Sequence, residues 1–236
     1  MKISLIIPAK NEEKNIALIL NNIPNTINEV IVVDGNSTDN TFSIAKSDSG
    51  ERIVIKQVSK GKGAALSKGF KLATGDFVIA IDADGSNDPA EIGNFIDAYL
   101  KGFQLVKGSR YIMGGGSSDI TLFRSFGNLF LTKLVNFLFR TKWTDLAYGY
   151  IGLSKGLINE LNISNFDDEN STFFNYGKGF EIEALICCRS IKTGAKIIEV
   201  PSFEKSRIYG SSNLKSIPDG MRALIAIIYE RYFYKL

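Results

Sequence analysis

The sequence contains no histidine and only two cysteines among its 236 residues. The absence of histidine excludes Ser-His-Asp and Cys-His nucleophilic catalysis, and it excludes the usual histidine-rich zinc sites. Cys187 and Cys188 are adjacent in the chain, so we expect no structural disulfide between them, and two reduced thiols predict a cytoplasmic protein. Any acid, base or metal-binding role must therefore fall to carboxylates.

Long apolar runs and strong charge are also missing. No run approaches the ~20 apolar residues of a transmembrane helix, and the short apolar segment 3–7 before Pro8 predicts no signal peptide. A net charge of +3 without a basic block predicts no nucleic-acid partner. A hydrophobic fraction of 44% indicates a folded protein, and because no linker divides the chain we predict one domain over residues 1–236.

Short β-branched runs alternate with helical patterns in the first 108 residues, and more helices follow. The alternation predicts an α/β fold with a mostly parallel sheet flanked by helices. Two segments rich in Gly, Ser, Asn and Asp, 113–119 and 162–175, are predicted to be loops. The predicted strands are 3–7, 29–34, 52–58, 76–82, 103–108 and 196–200, and the predicted helices are 15–23, 62–73, 89–100 (with Asp88 as N-cap), 122–139, 180–189 and 221–234.

Two aspartates follow the most apolar strand, in the stretch FVIAIDAD at residues 77–84. Alternate residues of an extended strand share a face, so Asp82 and Asp84 point the same way. Ligands of an open parallel sheet bind just beyond the carboxyl ends of its strands. Two carboxylates there repel each other unless a cation lies against them, and a hard ion such as Mg²⁺ or Mn²⁺ fits. Asp82 and Asp84 are therefore candidate metal ligands.

Other interpretations of the stretch DADGSNDP compete with a metal site. Its turn-forming residues allow a plain turn. An EF-hand loop is excluded because its sixth position requires glycine and Asn87 stands there. A phosphatase of the haloacid dehalogenase type begins with a similar motif, but it carries that motif on its first strand and needs a later acidic pair at a strand end. Here the pair Asp167 and Asp168 falls in a polar loop, so the phosphatase is a minor alternative.

Eight segments decide between these interpretations, because together and in this order they resemble family 2 glycosyltransferases of the GT-A fold. The later segments look most like the dolichyl-phosphate mannosyltransferase branch and its bacterial polyprenyl-phosphate relatives. The segments are IIPAKNEEKNI (6–16), VVDGNSTDNT (32–41), KGKGAALSKGF (60–70), GDFVIAIDADGSNDP (75–89), GSRY (108–111), TDLAYGY (144–150), GFEIE (179–183) and VPSFEKSRIYGSSNL (200–214).

The resemblance implies a nucleotide-sugar donor bound by residues 1–110 and an acceptor bound by residues 111–236. In the family, Asp-x-Asp holds a divalent ion against the donor diphosphate, a part that Asp82 and Asp84 take here. Asp34 is expected to accept a hydrogen bond from the base. Three positions depart from the family pattern: Lys10 replaces an aromatic residue, Gly35 an aspartate and Asn213 a lysine. The residues implied for donor binding are Pro8, Lys10, Glu12, Asp34, Lys60, Gly61, Asp82, Ala83, Asp84, Lys178 and Arg207.

The resemblance also implies direct in-line transfer with inversion at the sugar carbon. Asp84, Arg110 and Asp145 are the catalytic candidates, with the Arg110 guanidinium pairing with phosphate. The preferred acceptor is a polyprenyl phosphate, which is already ionised and needs no strong base; Asp145 then orients groups or is structural. A glycan or small-molecule hydroxyl is the alternative acceptor, with Asp145, Glu181 or Glu183 as general base. A sugar-nucleotide-binding module without activity is a further minor alternative.

Helices 122–139 and 221–234 mix aromatic and basic residues. They fit a core or a dimer interface, and they equally fit helices lying in a membrane interface. A lipid-linked acceptor favours the second interpretation, with peripheral contact at the inner face of the cell membrane. Arg124 on the first of these helices is then positioned to meet an acceptor phosphate, unless it is an ordinary surface arginine.

Overall fold

Seven strands of the computed structural model, which describes residues 1–47, 52–167 and 176–235, form one central sheet. They are β1 (Ile3–Ala9), β2 (Glu29–Asp34), β3 (Ile53–Lys56), β4 (Phe77–Ala80), β5 (Leu105–Ser109), β7 (Ile151–Ser154) and β8 (Ile197–Pro201). The order across the sheet is β3-β2-β1-β4-β7-β5-β8. β7 runs antiparallel to β4 and β5, and the other neighbours are parallel. The short strands β6 (Gly116–Ser117) and β9 (Phe203–Glu204) pair separately.

Eight helices are found in the described part of the chain. They are α1 (Ile16–Asn21), α2 (Thr41–Ser47), α3 (Lys62–Leu72), α4 (Ile92–Leu100), α5 (Leu122–Phe139), α6 (Lys155–Glu160), α7 (Ile182–Lys192) and α8 (Ser216–Tyr232). A 3₁₀ turn at Pro89–Glu91 precedes α4, and the Asp88 carboxylate accepts a hydrogen bond from the Ala90 N–H at 3.1 Å, as an N-cap does.

Helices cover both faces of the sheet. Leu5 and Ile7 of β1 pack in one buried cluster with α1 and α4, whereas Ile6 packs in the other with α3, α7 and α8. Strands buried on both faces are apolar at every position, which is why they read as continuous apolar runs in the sequence.

The predicted α/β architecture is confirmed, and the predicted bounds of β2 and α5 match at both ends. Strand β7 and helix α6 were not predicted. β7 is a four-residue strand whose Gly152 lets the ring of Phe77 approach closely, a long-range contact without a local signal. The predicted loop 113–119 is partly wrong, because β6 lies within it and pairs with β9. Part of the predicted loop 162–175 lies outside the described residues.

Candidate active site

A cavity of about 560 Å³ opens at the carboxyl edge of the sheet. Nine of the predicted site residues line it: Pro8, Lys10, Glu12, Gly61, Asp82, Ala83, Asp84, Arg110 and Arg207. Four others, Asp34, Lys60, Asp145 and Lys178, are not among its lining residues. Helix α5 and the beginning of α8 form the opposite wall, so the cavity lies between the two predicted halves of the chain.

Asp82 is held through its carboxylate by a lysine and through its backbone N–H by an asparagine. Its Oδ1 lies 2.6 Å from the Lys62 ammonium, which also lies 2.8 Å from Glu183 Oε1. The Asp82 N–H donates to Asn87 Oδ1 at 2.7 Å, which fixes the turn after β4. Gly149 lies against this pair, since a side chain there would meet Lys62 Nζ at 2.6 Å. Burial alone would lower the Lys62 pKa, but the charges of Asp82 and Glu183 outweigh it and raise that pKa, so Lys62 is a cation.

The Asp84 carboxylate is held by an arginine from a distant part of the chain. Arg207 Nη2 lies 2.6 Å from Asp84 Oδ2, and Arg207 Nη1 lies 2.8 Å from Glu12 Oε1. The Ile208 N–H donates to the Asp84 carbonyl at 3.2 Å and the Lys205 N–H to the Ser86 carbonyl at 2.9 Å. Segment 205–208 therefore lies along the predicted metal-binding turn.

The four carboxyl groups of this cluster share two cations. Lys62 serves Asp82 and Glu183, and Arg207 serves Asp84 and Glu12. When all four carboxyls are ionised, two negative charges are in excess, which one divalent ion balances. Burial raises the pKa of Glu12 and of Glu183. The two excess negative charges therefore cost free energy in the protein without a bound ion.

Asp82 and Asp84 fit a divalent ion of the Mg²⁺ or Mn²⁺ type, because both supply carboxylate oxygens to the same cavity. Within residues 1–47, 52–167 and 176–235, no group of three or more Asp, Glu, His or Cys side chains is arranged to hold a metal ion. Two protein ligands are a usual complement for Mg²⁺ when substrate phosphates and water complete its coordination shell. The donor set thus suits an ion that binds together with a diphosphate.

Arg110 and Asp145 form a buried, bidentate ion pair. Arg110 Nε lies 2.7 Å from Asp145 Oδ2, and Arg110 Nη2 lies 2.9 Å from Asp145 Oδ1. Asn128 Nδ2 also donates to Asp145 Oδ1 at 2.9 Å, and Arg110 Nη1 lies 3.0 Å from Glu204 Oε2. Burial would raise the pKa of Asp145, but the hydrogen bonds and charge of Arg110 outweigh it and hold that pKa below its ordinary value.

This arrangement suits Asp145 to orient Arg110 rather than to remove a proton. The Asp145 side chain is 0% exposed, both of its oxygens accept hydrogen bonds, and it does not line the cavity. Arg110 does line the cavity, where its guanidinium also lies over the ring of Tyr148 at 4.8 Å. Glu183, a second candidate base, does line the cavity, but its carboxylate is paired with Lys62.

A second arginine, Arg124, also lines the cavity. Arg124 lies one helical turn before Asn128 on α5, so both face the same side of that helix. Its guanidinium makes long contacts of 3.4 Å with Ser216 Oγ and with the Leu214 carbonyl, at the start of α8. Arg110, which is paired with Asp145 and Glu204, and Arg124 thus both line the cavity.

Of the predicted donor-binding residues Lys60, Gly61 and Lys178, only Gly61 lines the cavity. Gly61 lines it and has φ +115°, and a side chain there would clash with the Lys178 carbonyl. Lys60 is exposed outside the cavity. Lys178 is buried, and its ammonium donates to Ser59 Oγ at 2.9 Å. The role predicted for these two lysines stays a prediction.

Asp34 and Gln57 lie at the carboxyl ends of the neighbouring strands β2 and β3. Asp34 is fully buried, and its Oδ2 accepts a hydrogen bond from the Ser37 N–H at 3.1 Å. Gln57 lines the cavity beside Gly35. Sequence reasoning missed Gln57, Asn87 and Asn128. For Asn128, a polar residue four positions after Arg124 on an apolar helix was an available signal.

The sheet, the carboxylate pair at its carboxyl edge and the cavity beside them define an open α/β fold with a ligand site at the carboxyl ends of its strands. The sequence profile "Glycosyl transferase family 2" matches residues 4–161. The chain therefore belongs to glycosyl transferase family 2 and carries a glycosyltransferase domain of that family. The family match therefore favours a glycosyltransferase over the alternative prediction of a dehalogenase-type phosphatase.

Curated relatives assign the branch within the family. The chain is 28% identical over 230 residues to a dolichol-phosphate mannosyltransferase of Pyrococcus furiosus, covering 91% of this chain and 60% of that protein. It is 30% identical over 224 residues to a polyprenol monophosphomannose synthase of Mycolicibacterium smegmatis, covering 89% of this chain and 80% of that protein. The predicted resemblance to the dolichyl-phosphate mannosyltransferase branch is confirmed. The chain spans less than two thirds of the length of the Pyrococcus furiosus relative.

Solved structures confirm the GT-A fold. A glucosyl-3-phosphoglycerate synthase of Mycobacterium tuberculosis in complex with Mn²⁺, UDP-glucose and phosphoglyceric acid is similar at a TM-score of 0.76 and 21% identity, covering 99% of this chain and 81% of that one. The same protein in complex with Mn²⁺, UDP and glucosyl-3-phosphoglycerate gives a TM-score of 0.72 and 24% identity, covering 98% and 79%.

Proposed function

We propose that the protein transfers a hexose from a nucleotide sugar to a polyprenyl phosphate, with inversion at the sugar carbon. The observation that carries this proposal is one cavity lined by two chemically different sets of residues. Asp82 and Asp84 form the first set, and Arg110 and Arg124 form the second, with Arg124 on α5, which also exposes an apolar surface. We assign a diphosphate with a divalent ion to the first set, the donor end, and a lipid phosphate to the second set, the acceptor end.

At the donor end, Asp82 and Asp84 would hold Mg²⁺ or Mn²⁺ against the donor diphosphate. A bound divalent ion supplies Lewis-acid stabilisation of the charge that builds on the departing nucleotide. Lys62 and Arg207 orient the two carboxylates and bring positive charge close to the diphosphate. The M. tuberculosis structures, which contain Mn²⁺ with UDP or UDP-glucose, support metal use in this fold.

At the acceptor end, Arg110 and Arg124 supply donors for a phosphate monoester. Asp145 and Glu204 contact the Arg110 guanidinium directly, and Asn128 holds the Asp145 carboxylate in place. The guanidinium is therefore oriented before the acceptor binds. The acceptor phosphate itself attacks the sugar carbon from the face opposite the nucleotide. An ionised phosphate oxygen needs no proton removed, so this step requires no general base.

A lipid tail would leave the cavity along α5. Phe123 and Leu131 of that helix line the cavity, and Phe126 and Phe130 are exposed beside it. Among the described residues, none of the helices combines the length and the apolar character required to cross a membrane. We propose peripheral contact with a membrane through α5 and α8, where such an acceptor resides.

A hydroxyl acceptor is the second candidate function, and Glu183 is the observation that favours it. Burial raises the pKa of Glu183 and the residue lines the cavity, as a general base does. Lys62 pairs with both Glu183 and Asp82, so Glu183 lies beside one of the carboxylates assigned to the donor end.

Replacing Arg124 tests the proposed acceptor end. Arg124→Gln should raise the KM for a short polyprenyl phosphate about tenfold or more, since a charge-assisted hydrogen bond to phosphate contributes about 1.5–3 kcal/mol. The Kd for the nucleotide should stay unchanged. The measurement is the initial rate of sugar transfer into organic-extractable lipid as a function of acceptor concentration.

Lys133→Gln is the matched control, because Lys133 lies on the same helix, is exposed and does not line the cavity. Equal effects of the two substitutions on the acceptor KM, or no effect of Arg124→Gln, would contradict the proposal.

A further inference from the structure

The chain around Asp145, between α5 and β7, lies outside the helices and strands and is held by side chains. Four consecutive backbone N–H groups, beginning with that of Thr144, donate to side-chain oxygens. The first two, from Thr144 and Asp145, donate to the Glu199 carboxylate at 2.8 and 3.0 Å. The next two donate to side chains of α5, namely Thr132 Oγ1 at 3.2 Å and Asn128 Oδ1 at 3.0 Å. The position of this segment therefore depends on the side chains that accept these hydrogen bonds.

Glu199 and Lys107 reach the segment from two neighbouring strands. They are register partners on β8 and β5, so their side chains leave the sheet on the same face. Lys107 is 0% exposed, and its ammonium donates to the Tyr148 carbonyl. Charged side chains at such positions cost free energy unless they are compensated. Here the backbone of one segment compensates both, Glu199 at its beginning and Lys107 at its end.

The segment carries the residue that orients Arg110. The Asp145 carboxylate accepts hydrogen bonds from Arg110 Nε at 2.7 Å and from Arg110 Nη2 at 2.9 Å. The N–H of the same Asp145 donates to Glu199. Among the described residues, Arg110 lines the cavity, whereas Asp145 and Glu199 do not. Glu199 is thus connected to the cavity in two steps, through the backbone of Asp145 and then through its carboxylate.

We propose that Glu199 is a positioning residue for the acceptor phosphate: it fixes the backbone of Asp145, and through Asp145 it holds the Arg110 guanidinium at the cavity. This inference rests on the proposed function, which brings the acceptor phosphate to Arg110. It deepens that function by naming the residue that supports the ion pair. Glu199 acts through Asp145 and makes no contact with substrate.

The kinetics of Glu199 variants test the inference. Glu199→Ala should raise the KM for a short polyprenyl phosphate about tenfold or more, since displacing a binding group by about 1 Å can cost about a hundredfold. The Kd for UDP and for GDP, each with Mn²⁺, should stay unchanged. Glu199→Gln keeps one acceptor oxygen but loses the charge, so it should raise the acceptor KM only about threefold.

Glu160→Ala is the matched control, because Glu160 is an exposed carboxylate on α6 and does not line the cavity. It should change neither the acceptor KM nor the nucleotide Kd.

Hydrogen exchange followed by ¹⁵N NMR follows the same connection without turnover. In the wild-type chain, the backbone N–H of Asp145 and the Nε–H of Arg110 should both exchange slowly, since both are hydrogen-bonded to carboxylates. Both should exchange faster in Glu199→Ala and keep the wild-type rate in Glu160→Ala.

Fast exchange of either proton in the wild-type chain overturns the inference. An unchanged acceptor KM in Glu199→Ala overturns it too, and an equal loss of nucleotide affinity would make Glu199 a general structural residue instead. If Glu199→Ala does not fold, Glu199→Gln decides, and an unchanged acceptor KM in that variant overturns the inference. A wild-type chain that transfers no sugar to the lipid phosphate defeats the proposed function, whereas the exchange rates would still decide whether Glu199 positions Arg110.

Discussion

Single residues of the site are held mainly by partners that are distant in the sequence. Asp82 is paired with Lys62, Asp84 with Arg207, and Arg110 with Asp145. These pairs explain how an apolar strand end tolerates two carboxylates, since each has a positive charge within ion-pair distance. The sequence suggested that a metal ion and a diphosphate would offset the cost of burying the two carboxylates. The lysine and arginine cations supply part of that offset.

Asp145→Asn is expected to destabilise the protein in a pH-dependent way. The native pKa of Asp145 lies below its ordinary value of 3.8, so the carboxylate adds stability above that pH. This contribution is lost as the pH falls through the lower native pKa. At pH 7 the substitution should cost about 3 kcal/mol, because it leaves Arg110 without its buried partner. The cost should shrink below about pH 4. Urea unfolding of both chains between pH 7 and pH 3 measures the difference.

Asp97→Asn is the control for this prediction, because Asp97 is an exposed carboxylate on α4. It should change the free energy of unfolding by no more than about 0.5 kcal/mol at each pH. A cost of Asp145→Asn that is absent at pH 7, or that grows on acidification, would contradict the ion-pair account.

The sequence could predict which residues are chemically suited to the site, but not their partners. Asp82 and Asp84 both line the cavity, but β4 ends at Ala80, so they lie in the turn after the strand and not on one strand face as the spacing suggested. Asp145 was an equally plausible base in the sequence. The occupation of its oxygens depends on Arg110 and Asn128, which reach it only in the folded chain.

At the scale of elements, α5 and α8 differ from the other helices by the large apolar residues they expose. On α5 these include Phe126, Phe130 and Phe137, at 69%, 60% and 81% exposure. On α8 they include Ile217 and Ile225, at 68% and 55%. The two helices pack against each other, and α5 carries no acidic residue. An exposed apolar surface of this extent marks an interaction site, and basic neighbours suit anionic lipid.

The double substitution Phe126→Ser/Phe130→Ser should weaken binding to vesicles that contain anionic lipid. Each buried phenylalanine contributes about 1.5–3 kcal/mol, so the partition coefficient should fall by at least about a hundredfold. Co-sedimentation with vesicles of phosphatidylglycerol and phosphatidylcholine measures this change.

Leu100→Ser provides the comparison, because Leu100 is 65% exposed at the end of α4 and belongs to neither helix. It should leave vesicle binding unchanged. If the wild-type chain does not bind vesicles but forms dimers that the double substitution dissociates, the apolar surface is a dimer interface instead.

Elements with a local signal were predicted well, and those that depend on pairing were not. β2 and α5 were predicted to the residue because a buried parallel strand and a long apolar helix each have a distinct pattern. β7 has only four residues and a glycine, and its position between β4 and β5 arises from pairing across the sheet. Short helices such as α6 are fixed by tertiary packing more than by propensity.

At the scale of the whole molecule, one sheet joins the two predicted halves. β1 to β5 come from residues 1–110, whereas β7 and β8 come from residues 111–236. The cavity lies between α5 and α8 of the second half and the strand ends of the first. We propose that donor and acceptor approach from these two halves and that the reaction takes place where the halves meet.

The most direct test of this account is a donor-by-acceptor turnover screen with nucleotide release and labelled lipid as readouts. UDP-glucose, UDP-galactose, UDP-N-acetylglucosamine and GDP-mannose would each be supplied with Mn²⁺, with and without a short polyprenyl phosphate. The account predicts that nucleotide release requires the lipid phosphate, that one labelled glycolipid forms, and that both are lost in Asp84→Ala. Release that is independent of the lipid, or that increases only with sugar or glycan acceptors, would contradict the proposed acceptor.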